Sequence, residues 1–121
     1  MKKVDINFSI KGMDSNLDFK VKGEFKNKRL KYVDPEENTN YIILKDDLIE
    51  YYKKGNIFMK YLFNTNKETK GIYHIMGNEF QFRIVTKEII KKPTRIHIKF
   101  DLYQDKDLIN KNILDVEFQE E

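Results

Sequence analysis

Hydrophobic and polar residues alternate along most of the chain, and this period of two is typical of β-strands. In the first run, Val4 and Ile6 alternate with charged residues, so that one face is apolar and the other is solvated. The same one-sided pattern returns over 17–25, over 96–102 and over 114–118. We therefore predict that these segments are strands with one face against a shared core.

Turn-forming residues separate the runs at short intervals. Glycine–asparagine pairs at 55–56 and 77–78 fit tight hairpins, since glycine adopts positive φ without steric cost, and a proline-containing loop is expected over 34–38. Residues 87–92, which precede Pro93, are expected to form at most a short helical turn. The pattern gives about nine or ten strands with short connections. We predict an all-β fold, a single antiparallel up-and-down barrel of about 8–10 strands over residues 1–121.

Composition supports a sheet and excludes several kinds of chemistry. The chain has 15 Ile, 9 Phe and 7 Tyr but no Ala, Trp or Cys, and Ile, Phe and Tyr favour strands whereas Ala is the best helix former. Without cysteine there is no disulfide, thiolate metal site or cysteine nucleophile. The sequence lacks the apolar run of about eighteen residues that a transmembrane helix needs, and it opens without the apolar stretch of a signal peptide. We expect a cytoplasmic protein that is not in a membrane.

Charge is distributed unevenly along the chain. Residues 1–31 carry nine Lys or Arg against four Asp or Glu, while residues 101–121 carry two against seven. A barrel that joins its first strand to its last would bring these segments together, and Gly23 on an apolar face suggests a bend or bulge that curls the sheet. Exposed ion pairs there would favour the register more than the stability. The expected partners are Lys3, Lys11, Arg95 and Lys99 on the basic side and Asp115 and Glu117 on the acidic side.

Five aromatic side chains fall on the predicted inner faces of different strands. An eight-stranded barrel is just wide enough to be filled by side chains or to hold one small ligand. A hollow interior would be an apolar pocket in which tyrosine hydroxyls orient a ligand, whereas a filled interior would bond each hydroxyl near the rim. The large Ile and Phe side chains favour a filled interior, and both interpretations stay open. The candidate ligand-binding residues are Tyr32, Tyr61, Tyr73, Phe82 and Phe100.

Two central segments, 41–44 and 57–59, are apolar on both faces. One face belongs to the core, and the other, which Leu62 extends, needs cover. Either it associates with a second copy of the chain or another partner, or a short helix or a loop packs over it. The residues assigned to the outward face, and so to a candidate homodimer or partner interface, are Ile42, Leu44, Phe58 and Leu62.

Several short motifs follow one another over most of the chain, from about Phe19 to Phe118. They are Gly23-Glu24-Phe25, Tyr32-Val33-Asp34, Lys53-Lys54-Gly55, Met59, Phe63, Tyr73, Thr86 and Ile96-His97-Ile98-Lys99-Phe100-Asp101-Leu102. This order resembles the YwiB-like family, small uncharacterised bacterial proteins with a calycin (lipocalin-like) β-barrel. The resemblance implies the fold more than a function. Three polar positions of the family differ here, being Asp34 for Glu, Lys53 for Arg and Ile75 for Thr.

Catalytic and metal sites have little support in the sequence. The two serines, Ser9 and Ser15, stand outside any nucleophile motif. The two histidines, His74 and His97, lie on separate predicted strands, and a metal site would need both together with a carboxylate. We assign no catalytic residue, no metal ligand and no cofactor. An enzyme is the least supported function.

Nucleic-acid binding is a weaker alternative. The net charge of +3 is mild, only three of the basic residues are Arg, and the candidate aromatics lie on the apolar face. The first hypothesis is non-enzymatic binding of a small apolar or amphipathic ligand, and the second is a protein-interaction or homodimeric module. The lysine-rich N-terminal face that nucleic acid would use comprises Lys20, Lys22, Lys26 and Lys28.

Overall fold

Ten antiparallel strands form a closed barrel in the computed structural model, which describes residues 2–121. Met1, where the expected domain begins, lies outside the described residues. No helix within 2–121 has the length and apolarity needed to span a bilayer. The strands are β1 (Lys2–Lys11), β2 (Asn16–Lys26), β3 (Arg29–Val33), β4 (Thr39–Leu44), β5 (Ile49–Lys54), β6 (Ile57–Phe63), β7 (Thr69–Ile75), β8 (Asn78–Lys92), β9 (Arg95–Gln104) and β10 (Asp107–Glu120).

Each strand pairs with its neighbours in sequence, and β1 pairs with β10 to complete the ring. In that closing ladder Ile6 stands opposite Phe118 and Phe8 opposite Val116. All four side chains are buried, so the two chain ends contribute to one core. Closure also removes the unpaired sheet edges at which chains aggregate. The predicted all-β up-and-down barrel is confirmed.

The basic and acidic ends of the chain meet as expected, but not through every predicted residue. Arg95 donates two hydrogen bonds to Asp115, at 2.7 and 3.0 Å. The register of β1 against β10 sets Ser9 opposite Asp115. Asp115 pairs with Arg95 and His97, and not with the expected Lys3 or Lys11. Lys11 stands opposite Ile113, and Lys3 lies beyond Val4, which stands opposite Glu120. Lys99, expected to flank Asp115 and Glu117, also stands opposite Ile113.

Two local predictions are also wrong. Residues 87–92 continue β8 instead of forming a helical turn, because β9 offers backbone partners along this whole stretch. A register shift between Thr86 and Glu88 accommodates one extra residue there. The hairpin between β7 and β8 turns at Met76 and Gly77, whose φ values are 52° and 80°, one residue earlier than predicted.

The turns after β1, β3, β5, β7 and β9 all lie at one end of the barrel, which we call the upper end, because alternate strands run in opposite directions. The loop 34–38, between β3 and β4, belongs to this end. Its residues Asp34 and Asn38 are 7% and 1% exposed. A loop with buried polar side chains needs internal hydrogen-bond partners, and these partners define the site described next.

Candidate functional site

The carboxylate of Asp34 is the centre of a polar cluster at the upper end. Oδ1 accepts hydrogen bonds from the backbone N–H groups of Glu36, at 2.9 Å, and Asn38, at 3.0 Å. Oδ2 accepts one from Nδ2 of Asn40 at 3.0 Å. The bond to the residue two positions on is the turn that Asp forms readily before a proline. The same side chain therefore folds the loop and links it to β4.

A lysine completes the surroundings of this carboxylate. Nζ of Lys53 lies 3.5 Å from Oδ2 of Asp34. Burial alone would raise the pKa of the Asp34 carboxyl, but the hydrogen bond from Asn40, the two backbone N–H groups and the charge of Lys53 hold this pKa below its usual value. Asp34 is therefore an anion at neutral pH.

Two buried tyrosines extend the cluster into the barrel. The hydroxyl of Tyr51 donates to Oδ1 of Asn40 at 2.9 Å, and it lies 3.4 Å from the hydroxyl of Tyr32. Desolvation, with lesser effects from nearby groups, raises the pKa of both phenols. Both hydroxyls remain protonated. They form a chain of hydrogen bonds that runs from Tyr32 through Tyr51 to Asn40 in the polar cluster.

Asn38 connects the loop to the neighbouring hairpin. Its Oδ1 accepts a hydrogen bond from the backbone N–H of Ile57 at 3.4 Å, and a Cβ added at Gly55 would lie 2.5 Å from that oxygen. Glycine thus allows the hairpin to approach the loop. Nδ2 of Asn38 has no hydrogen-bond partner among the described residues, and neither has Nδ2 of Asn112, a buried residue on β10. Buried donors left unpaired are rare.

Apolar side chains line another part of the upper end. Leu17 and Phe80 are 48% and 42% exposed, although their cross-strand partners are inward-facing residues, Ile10 for Leu17 and Tyr73 for Phe80. Tyr73 and Phe82 pack against the edge of the core. We call Leu17, Tyr73, Phe80 and Phe82 the apolar rim. It lies at the same end of the barrel as the Asp34 cluster.

The middle of the barrel is occupied by aromatic rings. The ring of Phe100 lies 4.7 Å from that of Phe63 and 6.3 Å from that of Tyr61, measured between centroids. All five candidate ligand-binding residues lie on the inner face, but in different surroundings. Tyr61 and Phe100 belong to this packed middle, Tyr32 to the polar cluster, and Tyr73 and Phe82 to the apolar rim.

The candidate interface residues divide between the two faces of the sheet. Ile42 is fully buried and Leu44 packs against the core, so the expectation that both are exposed is wrong. The reason is the pairing of β4, where Ile42 stands beside the inward-facing Leu30 and Tyr51. Phe58, 37% exposed, and the partly exposed Leu62 lie on the outer face, and their role as an interface stays a prediction.

The histidines and serines lie apart from the polar cluster. His97 faces outward as expected, with Nδ1 at 2.9 Å from Asp115 and Nε2 at 3.5 Å from Glu88. Ser9 stands across from Asp115, so it is next to the acid and not to the imidazole that would have to activate it. His74 is exposed. Within residues 2–121 no three His, Asp or Glu side chains come together as a set that could hold a metal ion.

Comparison with known proteins gives a family and a fold. The family described as "Domain of unknown function (DUF1934)" matches residues 3–116. The chain belongs to this family. A solved structure, the crystal structure of ywiB protein from Bacillus subtilis, matches with a TM-score of 0.82 and 15% identity, over 99% of this chain and 92% of that chain. No curated protein matches the chain.

The resemblance to the YwiB-like family, and to its barrel, is therefore confirmed. In this DUF1934 barrel, the motif residues Tyr32, Asp34 and Lys53 come together at the upper end. The side chains of Asp34 and Lys53 form an ion pair here.

Sequence reasoning missed three members of the cluster in this DUF1934 chain: Asn38, Asn40 and Tyr51. No clear signal pointed to Asn40, because it shares the register of Ile42, which the double apolar pattern did not assign to the inside. Once the structure places this register inside, the buried Asn40 requires a hydrogen-bond partner. The partner could not be named from the sequence, because Tyr51 reaches Asn40 only through the pairing of β4 with β5.

Proposed function

We propose that the upper end of the barrel binds a small amphipathic molecule without chemical conversion. Its apolar part would cover the part of the apolar rim on β7 and β8, and its polar part would meet the Asp34 cluster. The observation that carries the proposal is the coexistence, at one end, of exposed inward-register hydrophobic side chains and a buried amide donor, Nδ2 of Asn38, that has no partner among the described residues.

The apolar rim supports the hydrophobic half of this proposal. Phe80 and Leu17 leave large apolar areas in water, although the next residue on the same face of each strand, Phe82 or Phe19, packs against the core. Covering such surface contributes roughly 25 cal/mol per Å². A ligand that covers the phenyl ring of Phe80 and part of Tyr73 would gain free energy from this burial.

The polar cluster supports the other half. Lys53 and Asp34 compensate each other, so a strongly charged ligand gains little there, whereas Nδ2 of Asn38 is a buried donor without a partner. A carbonyl or hydroxyl oxygen that accepts from this amide would remove the cost of an unsatisfied donor, about 1–3 kcal/mol. We infer a ligand that carries an acceptor oxygen next to an apolar body.

Binding of the neutral dye Nile red, an apolar body with a carbonyl oxygen, tests the proposal. We expect saturable fluorescence enhancement with the unmodified protein. For Phe80→Ser we expect a dissociation constant roughly three to ten times larger, since a covered phenyl ring contributes about 1 kcal/mol or more to binding. Native mass spectrometry of freshly purified protein should also show a retained small molecule.

Phe58→Ser is the matched control. Phe58 is also a phenylalanine near 40% exposure, at 37% against 42% for Phe80, but it lies on the outer face. Its removal should leave dye affinity within about twofold. Equal losses in the two variants, or an unmodified protein that does not enhance the fluorescence, would contradict a ligand site at the upper end.

Self-association is a second candidate, and it rests on Phe58 and Leu62, the two outward-facing members of the predicted interface. If it occurs, light scattering at high concentration should give twice the mass of the chain, and Phe58→Lys should restore the mass of one chain. A single-chain mass for the unmodified protein would rule it out. The cytoplasmic location expected from the sequence stays a prediction.

A further inference from the structure

A row of two tyrosines between two lysines crosses the outer face of the barrel from β3 to β6. Lys31 is the cross-strand partner of Tyr41, Tyr41 of Tyr52, and Tyr52 of Lys60. Neighbouring strands are about 4.8 Å apart, so the row spans roughly 14 Å across three strand spacings. Two aromatic rings thus lie side by side between two cations on a solvent-facing surface.

Further cations surround the first ring. Cζ of Arg29 lies 5.5 Å from the centroid of Tyr41, Nζ of Lys31 lies at 5.8 Å and Nζ of Lys54 at 5.9 Å. The ring face attracts each cation, but three positive charges around one ring also repel one another. A polyanion that passes over this site would relieve the repulsion.

The second ring is held in a defined position. The hydroxyl of Tyr52 donates to Oε1 of Glu50 at 3.1 Å, and Nζ of Lys60 lies 5.8 Å from the ring centroid. Glu50 also pairs with Lys45 at 3.1 Å, so its charge is compensated. A surface depression of about 350 Å³ lies over this region, and it is lined by Arg29, Tyr41, Ile43, Tyr52 and Lys54.

We propose that this face, formed by Arg29, Lys31, Tyr41, Tyr52, Lys54 and Lys60, binds single-stranded nucleic acid. Its cations would contact phosphates, and its two tyrosines would stack against bases. Stacking platforms within a positively charged groove are how many proteins hold single strands without sequence preference. Two adjacent rings between cations fit successive bases and phosphates, whereas a plain polyanion would gain nothing from the rings.

The lysine-rich N-terminal face considered from the sequence is a poorer candidate. Lys22 is paired with both Asp5 and Glu121, and Lys28 lies 4.0 Å from Asp46. These acids reduce the positive potential of that face. The aromatic residues that stacking requires are on the β3–β6 face.

Fluorescence anisotropy with a labelled oligouridylate of about ten nucleotides tests the proposal. We expect saturable binding at about 50 mM salt that weakens toward 200 mM, with a slope of log affinity against log salt near −3 for four phosphate contacts. Tyr41→Leu should weaken binding roughly 5- to 150-fold, the range for loss of one stacked base. Tyr41→Phe, which keeps the ring, should restore affinity to within about twofold.

Replacing single lysines on the two candidate faces shows which face binds the oligonucleotide. Lys31→Gln should weaken binding and make the salt slope less steep by about 0.7, while Lys20→Gln on the N-terminal face should leave both unchanged. Circular dichroism of each variant should match that of the unmodified protein, since all these residues lie on the outside of the sheet.

Several results would overturn the proposal. They are absence of oligouridylate binding at about 50 mM salt, equal losses for Lys20→Gln and Lys31→Gln, or an affinity that does not respond to Tyr41→Leu. Inorganic polyphosphate that binds as tightly as the oligonucleotide would assign the face to polyanions in general. Binding to anionic lipid vesicles in place of the oligonucleotide would assign it to a membrane surface.

Discussion

Gly23 is an inward position of β2 that shows how a single residue sets the closeness of neighbouring strands. It pairs with Val4 on one side and Tyr32 on the other, and the pairing continues through it without a register shift. The bulge suggested by the sequence is therefore absent at this residue. A Cβ here would lie 2.5 Å from the carbonyl oxygen of Lys31 and 2.6 Å from Cδ1 of Ile6. Glycine is needed for space.

We predict that Gly23→Ala lowers the free energy of unfolding by about 1–3 kcal/mol, because the backbone of β3 must move to admit a methyl group. Gly12→Ala is the comparison, since its Cβ would meet only the side-chain amide of Asn110. That amide can move without a shift of the backbone, at the cost of its exposed hydrogen bond from the backbone N–H of Met13, so we expect a smaller loss of stability. Urea denaturation of both variants measures the difference. If Gly23→Ala is as stable as the unmodified protein, the backbone of β3 can move aside with little loss of free energy.

The loop 34–38 is an element whose fold depends on one buried carboxylate. Asp34 accepts hydrogen bonds from two N–H groups of its own loop and from Asn40 on β4. Its pKa is lower in the folded protein than its usual value. A lowered folded-state pKa means that the ionised form stabilises the fold above the unfolded pKa, near 3.9, and that this stabilisation is lost as pH falls through the folded-state pKa.

We predict that Asp34→Asn lowers the free energy of unfolding at neutral pH by roughly 1–3 kcal/mol, since charge-assisted bonds are replaced and Lys53 loses its partner. The difference from the unmodified protein should begin to shrink as pH falls below about 4, and it should be smallest below the lowered folded-state pKa, where the carboxyl of the folded protein also becomes neutral. Denaturation curves at a series of pH values measure this.

Asp46→Asn provides the control for that experiment. The Asp46 side chain is fully exposed in the turn between β4 and β5, so the substitution should change stability by less than about 0.5 kcal/mol. The difference in unfolding free energy between Asp34→Asn and the unmodified protein could instead be the same at every pH. That result would show that Asp34 acts through its shape and not through its charge.

At the scale of the whole molecule, closure brings the two chain ends together. The backbone N–H of Glu121 donates to the carbonyl of Lys3 at 3.1 Å, and β1 pairs with β10 along most of its length. The barrel therefore depends on contacts between the most distant parts of the sequence. Such contacts cost more loop-closure entropy than those within a hairpin, and they are expected to form late in folding.

We predict that a circular permutant, with residues 121 and 2 joined by a short Gly-Ser linker and new ends in the turn at Asp105–Lys106, keeps the β-sheet circular dichroism and unfolds cooperatively. Opening the chain inside β9, between Ile98 and Lys99, should prevent folding, because two central ladders lose their continuity. A turn-opened permutant that is unfolded would mean that the order of the strands in the chain is itself required.

The sequence by itself determined the strands, most turns and the antiparallel barrel, because period-two alternation with one apolar face leaves few other ways to bury the apolar residues. Where both faces are apolar, as over 41–44, it could not say which face is inside. Only the pairing of β4 with β3 and β5 decided that Ile42 is buried and that Tyr41 is outside. Tertiary structure likewise decided that Asp34 would meet Lys53, since a buried polar group takes its partner from whatever strand the register brings beside it.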